Sequence, residues 1–115
     1  MASLIEGESV QYNIYYSPEQ FGLEQVALID YSDGSYRFDL RVVWKRTEDG
    51  HLLTARNAGC SCPSPFEDHD MMDLQPFILR ELESEAIREG TRVGYDGGST
   101  TPFLDTIRRL DRERH

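Results

Sequence analysis

Residues 36–46, with the sequence YRFDLRVVWKR, decide the fold of this chain. Every second side chain from Tyr36 to Trp44 is apolar, and nearly all of the intervening positions are charged. Alternation with period two, together with many aromatic and β-branched residues, is typical of a β-strand with one buried face. Turn-forming sequences flank the stretch at residues 32–35 (SDGS) and 47–50 (TEDG). It therefore predicts the middle strand of an antiparallel meander, with an aromatic face that other elements must cover.

Two further stretches predict neighbouring strands, at residues 24–31 before the central strand and at residues 51–57 after it. A less regular alternation at residues 9–16 (SVQYNIYY) predicts an additional edge strand, preceded by a loose N-terminus at residues 1–8. An unpaired edge at residues 9–16 would let two copies of the chain pair through their sheets. We therefore include a homodimer among the expected assemblies.

The pattern changes in residues 58–72, where prolines remove backbone donors and prevent the sheet from continuing. Beyond this loop, apolar side chains recur at spacings of three and four residues, which predicts a helix. Asp73 is the expected N-cap, Pro76 falls in the first turn, and Gly90 suits the stop beyond the last turn. After a glycine-rich loop, Thr101 is expected to open a second helix with a basic last turn.

Together these elements predict an α+β fold, with a three- to four-stranded antiparallel meander sheet and two C-terminal helices packed on its aromatic face. Residues 1–115 are too few for two independent cores, so we expect a single domain. Within it, residues 9–57 form the sheet and residues 73–115 form the helical part.

Signals for a membrane or for secretion are not found in the sequence. The chain lacks an apolar run of the ~20 residues that span a bilayer. Its first ten residues, MASLIEGESV, have neither the basic start nor the apolar core of a signal peptide. We therefore expect a cytosolic protein without membrane contacts.

The net charge is −9, and the acidic residues are unevenly spread. Residues 1–35 hold six acidic residues and no Lys or Arg, and residues 59–90 hold eight acidic and two basic residues. Binding of nucleic acid requires cations that displace counterions from the phosphates. We therefore expect no direct nucleic-acid binding. Such a surface favours solubility, and it can also contact a basic patch on another protein.

Both cysteines lie in one proline-rich loop, where metal or thiol chemistry has to be considered. A zinc site would use Cys60, Cys62 and His69, with a fourth ligand from an acidic residue or a second chain. The C-x-C spacing is less typical of zinc sites than C-x₂-C, and a disulfide within it would be strained and kept reduced in the cytosol. A nucleophilic cysteine beside His69 or His51 lacks a third, orienting group. The alternative is that both cysteines are small structural side chains. We expect no cofactor, with zinc as the open alternative.

An acidic run with two methionines follows the cysteine loop. Its carboxylates lack the Asp-x-Asp-x-Asp-Gly spacing of a calcium loop, and acids before a helix are favourable at its positive end. Methionines beside acidic residues can form a contact patch for another protein, although a place in the core is the more usual role. The candidate interaction residues are Glu67, Asp68, Asp70, Met71, Met72 and Asp73.

Four motifs occur in the first two thirds of the chain: residues 15–24 (YYSPEQFGLE), 36–40 (YRFDL), 42–45 (VVWK) and 59–68 (GCSCPSPFED). They resemble a family of small proteins of unknown function encoded by bacteriophages of actinobacteria, and the last motif is the most specific. The resemblance implies a phage product made in the cytoplasm of the bacterial host. It brings no activity and no site residues with it.

The expected function is binding, because no arrangement of nucleophile, base and orienting group emerges from the sequence. Many small phage proteins modulate or inhibit host machinery, so we expect a non-enzymatic module that binds a host or phage protein. One alternative is a DNA-mimicking inhibitor that uses the acidic residues of 1–35 and 67–89 as surrogate phosphates. The other is a zinc- or thiol-dependent protein built on Cys60, Cys62 and His69.

Overall fold

The computed structural model describes residues 13–32, 37–60, 65–67, 69–92 and 100–114. The elements follow in the order β1 (Leu23–Asp30), β2 (Arg37–Arg46), β3 (Leu52–Cys60), β4 (Gln75–Pro76), α1 (Leu79–Arg92) and α2 (Thr100–Glu113). Short 3-10 helices lie at Pro18–Phe21 and Met71–Asp73. Within the described residues, neither helix has the length and apolar character needed to cross a membrane.

The four strands form one antiparallel meander in the order β1-β2-β3-β4. β2 pairs with β1 on one side and with β3 on the other, and a bulge at Val26 shifts the register between β1 and β2. β4 is short and pairs only Pro76 with Leu53 and Gln75 with Thr54. The α+β fold and the central position of β2 are thereby confirmed.

The edge strand expected at residues 9–16 is wrong for its second half, because residues 13–16 form a turn. The side chain of Asn13 accepts hydrogen bonds from the backbone N–H of Tyr15 at 2.6 Å and of Tyr16 at 3.2 Å. Such local bonds offer the backbone an alternative to a sheet ladder. Residues 1–12 lie outside the described residues, and so does the part of the prediction that rests on them. The edges of the described sheet are β1 and β4.

The first helix begins at Leu79 and not after Asp73, so the predicted start was wrong. Asp73 instead ends a 3-10 helix. Pro76 lies in β4, where an edge position tolerates a residue without an N–H. The helix also continues past Gly90 to Arg92.

Gly90 serves the contact between α1 and α2 and not a helix stop. A Cβ at this position would lie 2.9 Å from Oγ1 of Thr100, closer than real Cβ atoms approach a neighbour. Thr100 is the first residue of α2 and is itself buried. The absence of a side chain at Gly90 therefore lets the end of α1 approach the start of α2.

The two faces of the sheet are covered by different parts of the chain. The face with Val43 packs against both helices, which contribute Leu82, Ala86, Phe103, Ile107 and Leu110. The face with Trp44, the aromatic face, is covered by irregular segments that contribute Ile14, Phe66, Met71 and Leu74. The helices therefore lie on the face opposite to the expected one. Trp44 is nevertheless fully buried.

The reason for this arrangement lies in the charged positions of the central strands. Arg41 and Arg56 face the helices, where an alternating pattern led us to expect solvent. Glu85 of α1 binds both arginines. A face that carries charges can thus be buried under a helix, because the helix supplies the opposite charge.

Candidate functional site

Phe66 fixes the path of the loop that crosses the aromatic face. It is fully buried and has a φ of 59°, a left-handed conformation that is uncommon for a residue with a Cβ. Its N–H donates to Oδ1 of Asn57 at 2.8 Å, and Nδ2 of Asn13 donates to the carbonyl oxygen of Pro65 at 3.1 Å. The Phe66 ring meets Trp44 edge-on, with 5.4 Å between the ring centroids. The loop therefore covers the part of the core that contains Trp44.

His69, one of the three candidate zinc ligands, packs on this aromatic cluster. Its ring lies edge-on to Phe66 at 4.9 Å between centroids, and the backbone N–H of His69 donates to the Phe66 carbonyl oxygen at 3.1 Å. Cys60 is the last residue of β3, but its side chain and the whole of Cys62 lie outside the described residues. Within the described ranges, no group of three or more His, Cys, Asp or Glu side chains could hold a metal ion. The zinc site thus stays a prediction.

Four of the six candidate interaction residues, Asp70, Met71, Met72 and Asp73, lie on a turn at residues 69–73, which we call the Met72 turn. Oδ1 of Asp70 accepts a hydrogen bond from the N–H of Met72 at 2.9 Å, and Oδ2 of Asp73 accepts one from the N–H of Asp70 at 2.8 Å. This reciprocal pair is a capping box, which satisfies two backbone donors at once. Both aspartates therefore also have a local structural role.

The two methionines of the turn have opposite environments. Met71 is partly buried and packs against the aromatic cluster, as a core role for methionine predicts. Met72 is 91% exposed and points away from the core. Glu67 is also exposed, whereas Asp68 lies outside the described residues. The turn thus presents one apolar side chain among carboxylates.

A second cluster, which we did not expect from the sequence, lies between the sheet and α1. Oε1 of Glu85 accepts hydrogen bonds from the Tyr31 hydroxyl at 3.0 Å and from Nε of Arg41 at 2.9 Å. Its Oε2 accepts from Nη2 of Arg41 at 2.6 Å and from Nη1 of Arg56 at 3.2 Å. Arg56 also donates twice to Asp39, each time at 2.8 Å. We call these five residues the Glu85 network.

The environment holds Tyr31, Arg56 and Glu85 in their ordinary neutral-pH states. Burial, and then the Glu85 carboxylate, raise the pKa of Tyr31. Hydrogen bonds to Asp39 raise the pKa of Arg56, against the effect of burial. Burial raises the pKa of Glu85, but hydrogen bonds from Arg41 and Tyr31 and the charges of both arginines outweigh it, so the net shift is downward. Tyr31 is therefore neutral at neutral pH, whereas Arg56 and Glu85 are charged, and the contacts among these three groups stabilise the fold.

One signal in the sequence could have indicated that the central strands need a carboxylate from elsewhere, although it does not identify Glu85. Arg41 and Arg56 are directly opposite each other on β2 and β3, and like charges in that position are destabilising. A carboxylate from another element is the natural solution. A glutamate in an amphipathic helix usually faces solvent, but the side chain of Glu85 is only 10% exposed.

The β2–β3 turn carries a third polar group of residues. Asp49 accepts hydrogen bonds from Nε of Arg46 at 2.9 Å and from its Nη2 at 2.7 Å, and these bonds lower the pKa of Asp49. Nδ1 of His51 lies 2.7 Å from Oδ2 of Asp49. An open cleft of about 490 Å³ beside the turn has no Ser, Thr or Cys in its described lining. It therefore lacks the hydroxyl or thiol that an Asp–His pair would activate.

Comparison with known proteins found no match among curated proteins or solved structures. One family model, described as a domain of unknown function (DUF7574), matches residues 12–114. The match includes the sheet, the Met72 turn and both helices, which is nearly the whole chain. The chain therefore belongs to the DUF7574 family.

Proposed function

We propose that the chain is a non-catalytic binding module that recognises another protein through the Met72 turn. The observation that carries the proposal is the 91% exposure of Met72 on a turn that hydrogen bonds hold in place. Methionine is enriched at protein interfaces, because its flexible and polarisable side chain fills irregular pockets. Met72 is the anchor that a partner buries.

The turn is organised before any partner arrives. The capping box of Asp70 and Asp73 fixes its backbone, and Met71 and Leu74 attach its two sides to the aromatic face. A segment that is already ordered loses less conformational entropy on binding than a flexible one. This raises the affinity that a small contact around Met72 can reach.

The charges around Met72 define the chemistry of the partner. Asp70 and Asp73 are exposed on the same turn as the methionine, and Glu67 is exposed five residues before it in the chain. A complementary surface is an apolar pocket with Lys or Arg at its rim, because opposite charges steer association and disfavour acidic competitors. The net charge of −9 accelerates encounter with such a surface.

The resemblance to actinobacteriophage proteins supports a setting for this activity. We propose a phage-encoded protein in the host cytoplasm that modulates a host or phage protein. This part rests on the motifs at residues 15–24 and 59–68 and on analogy with other small phage proteins.

The two alternatives have less support. A DNA mimic needs a row of free carboxylates, but Glu85 binds two arginines, Glu89 lies 3.5 Å from Arg56, and Glu83 is bound to Arg108 at 2.6 Å. A zinc- or thiol-dependent function depends on Cys62 and on the Cys60 side chain, which lie outside the described residues. Both stay alternatives to the binding module.

Affinity capture from an actinobacterial host lysate, followed by mass spectrometry, tests the proposal. The baits are the wild-type chain, Met72→Asp, and Ile87→Asp as a matched control. Ile87 is 54% exposed on α1, so the control adds the same charge to another exposed apolar position. We expect a protein that the wild type and Ile87→Asp retain and that Met72→Asp loses.

A photo-crosslinking residue at position 72 should form a covalent adduct with the same protein, and one at position 87 should not. Sedimentation of the pure chain measures whether it forms a homodimer. A dimer would mean that the partner is a second copy of the chain and not a foreign protein. Equal retention by Met72→Asp, or no retained protein at micromolar bait, would contradict the proposal.

A further inference from the structure

A cleft of about 420 Å³ lies between α1 and the β3–β4 side of the sheet. Thr54 and Gln75 line it from the strands, and α1 lines it from the other side. Arg41 also reaches this cleft, but its Nε and Nη2 both donate to Glu85. The charge of Arg41 is therefore already balanced inside the protein, and any free charge in the cleft comes from α1.

Arg80, Ser84 and Arg88 recur every four residues along α1, and all three line the cleft and are exposed. In an α-helix, a rise of about 1.5 Å per residue places successive members of this row about 6 Å apart. Residues at this spacing lie on the same side of the helix. A ligand held above Ser84 is therefore within reach of the Arg80 side chain from one end of the row and of the Arg88 side chain from the other.

Neither Arg80 nor Arg88 has an ion-pair partner among the described residues. Most other described arginines do have one, including Arg41, Arg56 and Arg108. Two guanidinium groups without an ion-pair partner among the described residues therefore lie beside one cleft. Guanidinium groups bind the oxygens of carboxylates and phosphates through paired N–H donors.

Glu81 limits the negative charge of the ligand that the cleft can bind. It lines the same cleft, so that the two free arginines and this carboxylate leave one net positive charge. Such a balance suits a single anionic group and disfavours a polyanion such as a nucleic-acid backbone. Ser84 adds a hydroxyl donor between the two arginines.

We infer that this cleft binds one oxyanion group, a phosphate or a carboxylate, above Ser84 and between the guanidinium groups of Arg80 and Arg88. The inference does not depend on the Met72 turn, which lies outside the cleft lining. Failure of either one leaves the other intact.

NMR titration of the ¹⁵N-labelled full chain with inorganic phosphate and, separately, with acetate tests the site at constant ionic strength. We expect saturable shifts of the amides of residues 80–88, and the stronger of the two anions identifies the preferred oxyanion. Arg80→Gln and Arg88→Gln should each weaken binding about tenfold, because each removes charge-assisted hydrogen bonds. The double variant should abolish saturation.

Arg112→Gln is the matched control, because Arg112 is an exposed arginine on α2, away from the cleft. It removes the same charge and should leave the affinity unchanged. Ser84→Asp should block binding by placing a carboxylate where the anion lies, and thermal melts confirm that each variant is folded. Shifts that do not saturate, or equal losses in Arg112→Gln and Arg80→Gln, would show general charge screening and overturn the inference.

Discussion

Both faces of the sheet are buried, but different kinds of structure and different contacts cover them. On the helix face, apolar residues of α1 and α2 pack on Val43, and next to them the Glu85 network joins α1 to β2 and β3. On the aromatic face, short irregular segments cover Trp44 and are attached by side-chain hydrogen bonds, in which Asn13 donates to Pro65 and Asn57 accepts from Phe66.

The difference shows that polarity along a strand does not identify the side that faces water. The helix face is buried because α1 supplies a carboxylate for its arginines. The aromatic face is buried because loop residues such as Phe66 fold back over it. Regular structure covers the charged face, and irregular structure covers the most apolar one.

The largest expected effect comes from truncation at the centre of the aromatic face. Trp44→Ala should lower the free energy of unfolding by about 3–5 kcal/mol, because it removes a fully buried ring and leaves a cavity. Urea unfolding followed by circular dichroism measures the loss. If the irregular segments exclude water from this face as effectively as the helices do from the other, Phe103→Ala on the helix face should lower the free energy of unfolding by a similar amount.

Trp44→Phe is the matched variant for this prediction. Nε1 of Trp44 is buried and has no hydrogen-bond partner within the described structure. Phenylalanine keeps much of the ring and removes that donor, so the loss should be clearly smaller than for alanine. A Trp44→Ala variant as stable as the wild type would contradict the burial of this side chain.

The second effect concerns the Glu85 network. Glu85→Gln should lower the free energy of unfolding by about 2 kcal/mol, because it replaces charge-assisted hydrogen bonds to Arg41 and Arg56 with weaker neutral ones. Folding lowers the pKa of Glu85 from its ordinary value of 4.5. The stabilisation is therefore present above that pH and is lost as the pH falls through the lowered pKa.

Chemical unfolding of both chains as a function of pH checks this sign. The difference in stability between wild type and Glu85→Gln should be constant near neutral pH and shrink in acid below about 4.5. Glu113→Gln is the control, because Glu113 is 58% exposed in a surface ion pair that contributes little. A difference that grows in acid would be contrary to the assigned contacts.

A smaller effect is expected at the Met72 turn. Asp70→Ala should cost about 1 kcal/mol, because it removes the side-chain cap of the 3-10 helix. Hydrogen exchange should show faster exchange of the Met72 amide, which donates to Asp70. Glu67→Ala removes an exposed charge five residues earlier in the chain and should leave the exchange rate of that amide unchanged. The same rate in Asp70→Ala and wild type would argue against the capping box.

The smallest effect is expected for the cysteines. Protein purified without chelator should contain no stoichiometric zinc by elemental analysis, and Cys60→Ser with Cys62→Ser should unfold at nearly the same temperature as the wild type. One zinc per chain that disappears in the double variant would favour the zinc-dependent alternative. The matched variant is His69→Phe, which keeps an aromatic ring beside Phe66 and removes the third candidate ligand.

Much of the fold followed from local patterns. The strand at residues 37–46 was predicted within one residue, and so was the start of the second helix. The start of α1 was missed, because the 3-10 helix ending at Asp73 and the pairing of Pro76 with Leu53 depend on contacts with β3 and on side-chain caps. For the Met72 turn, the sequence indicated which residues to consider. It did not indicate that Met71 is partly buried while Met72 is exposed.

By itself, the sequence determined the antiparallel ribbon around β2 and the presence of two amphipathic helices, because alternation and helical spacing are local properties of the chain. Only the tertiary structure decided which face the helices cover. That choice depends on Arg41 and Glu85, which are 44 residues apart in the chain, and on Phe66 returning over Trp44. Contacts between distant residues leave no periodic signal in either segment, so they become visible only when the chain is folded.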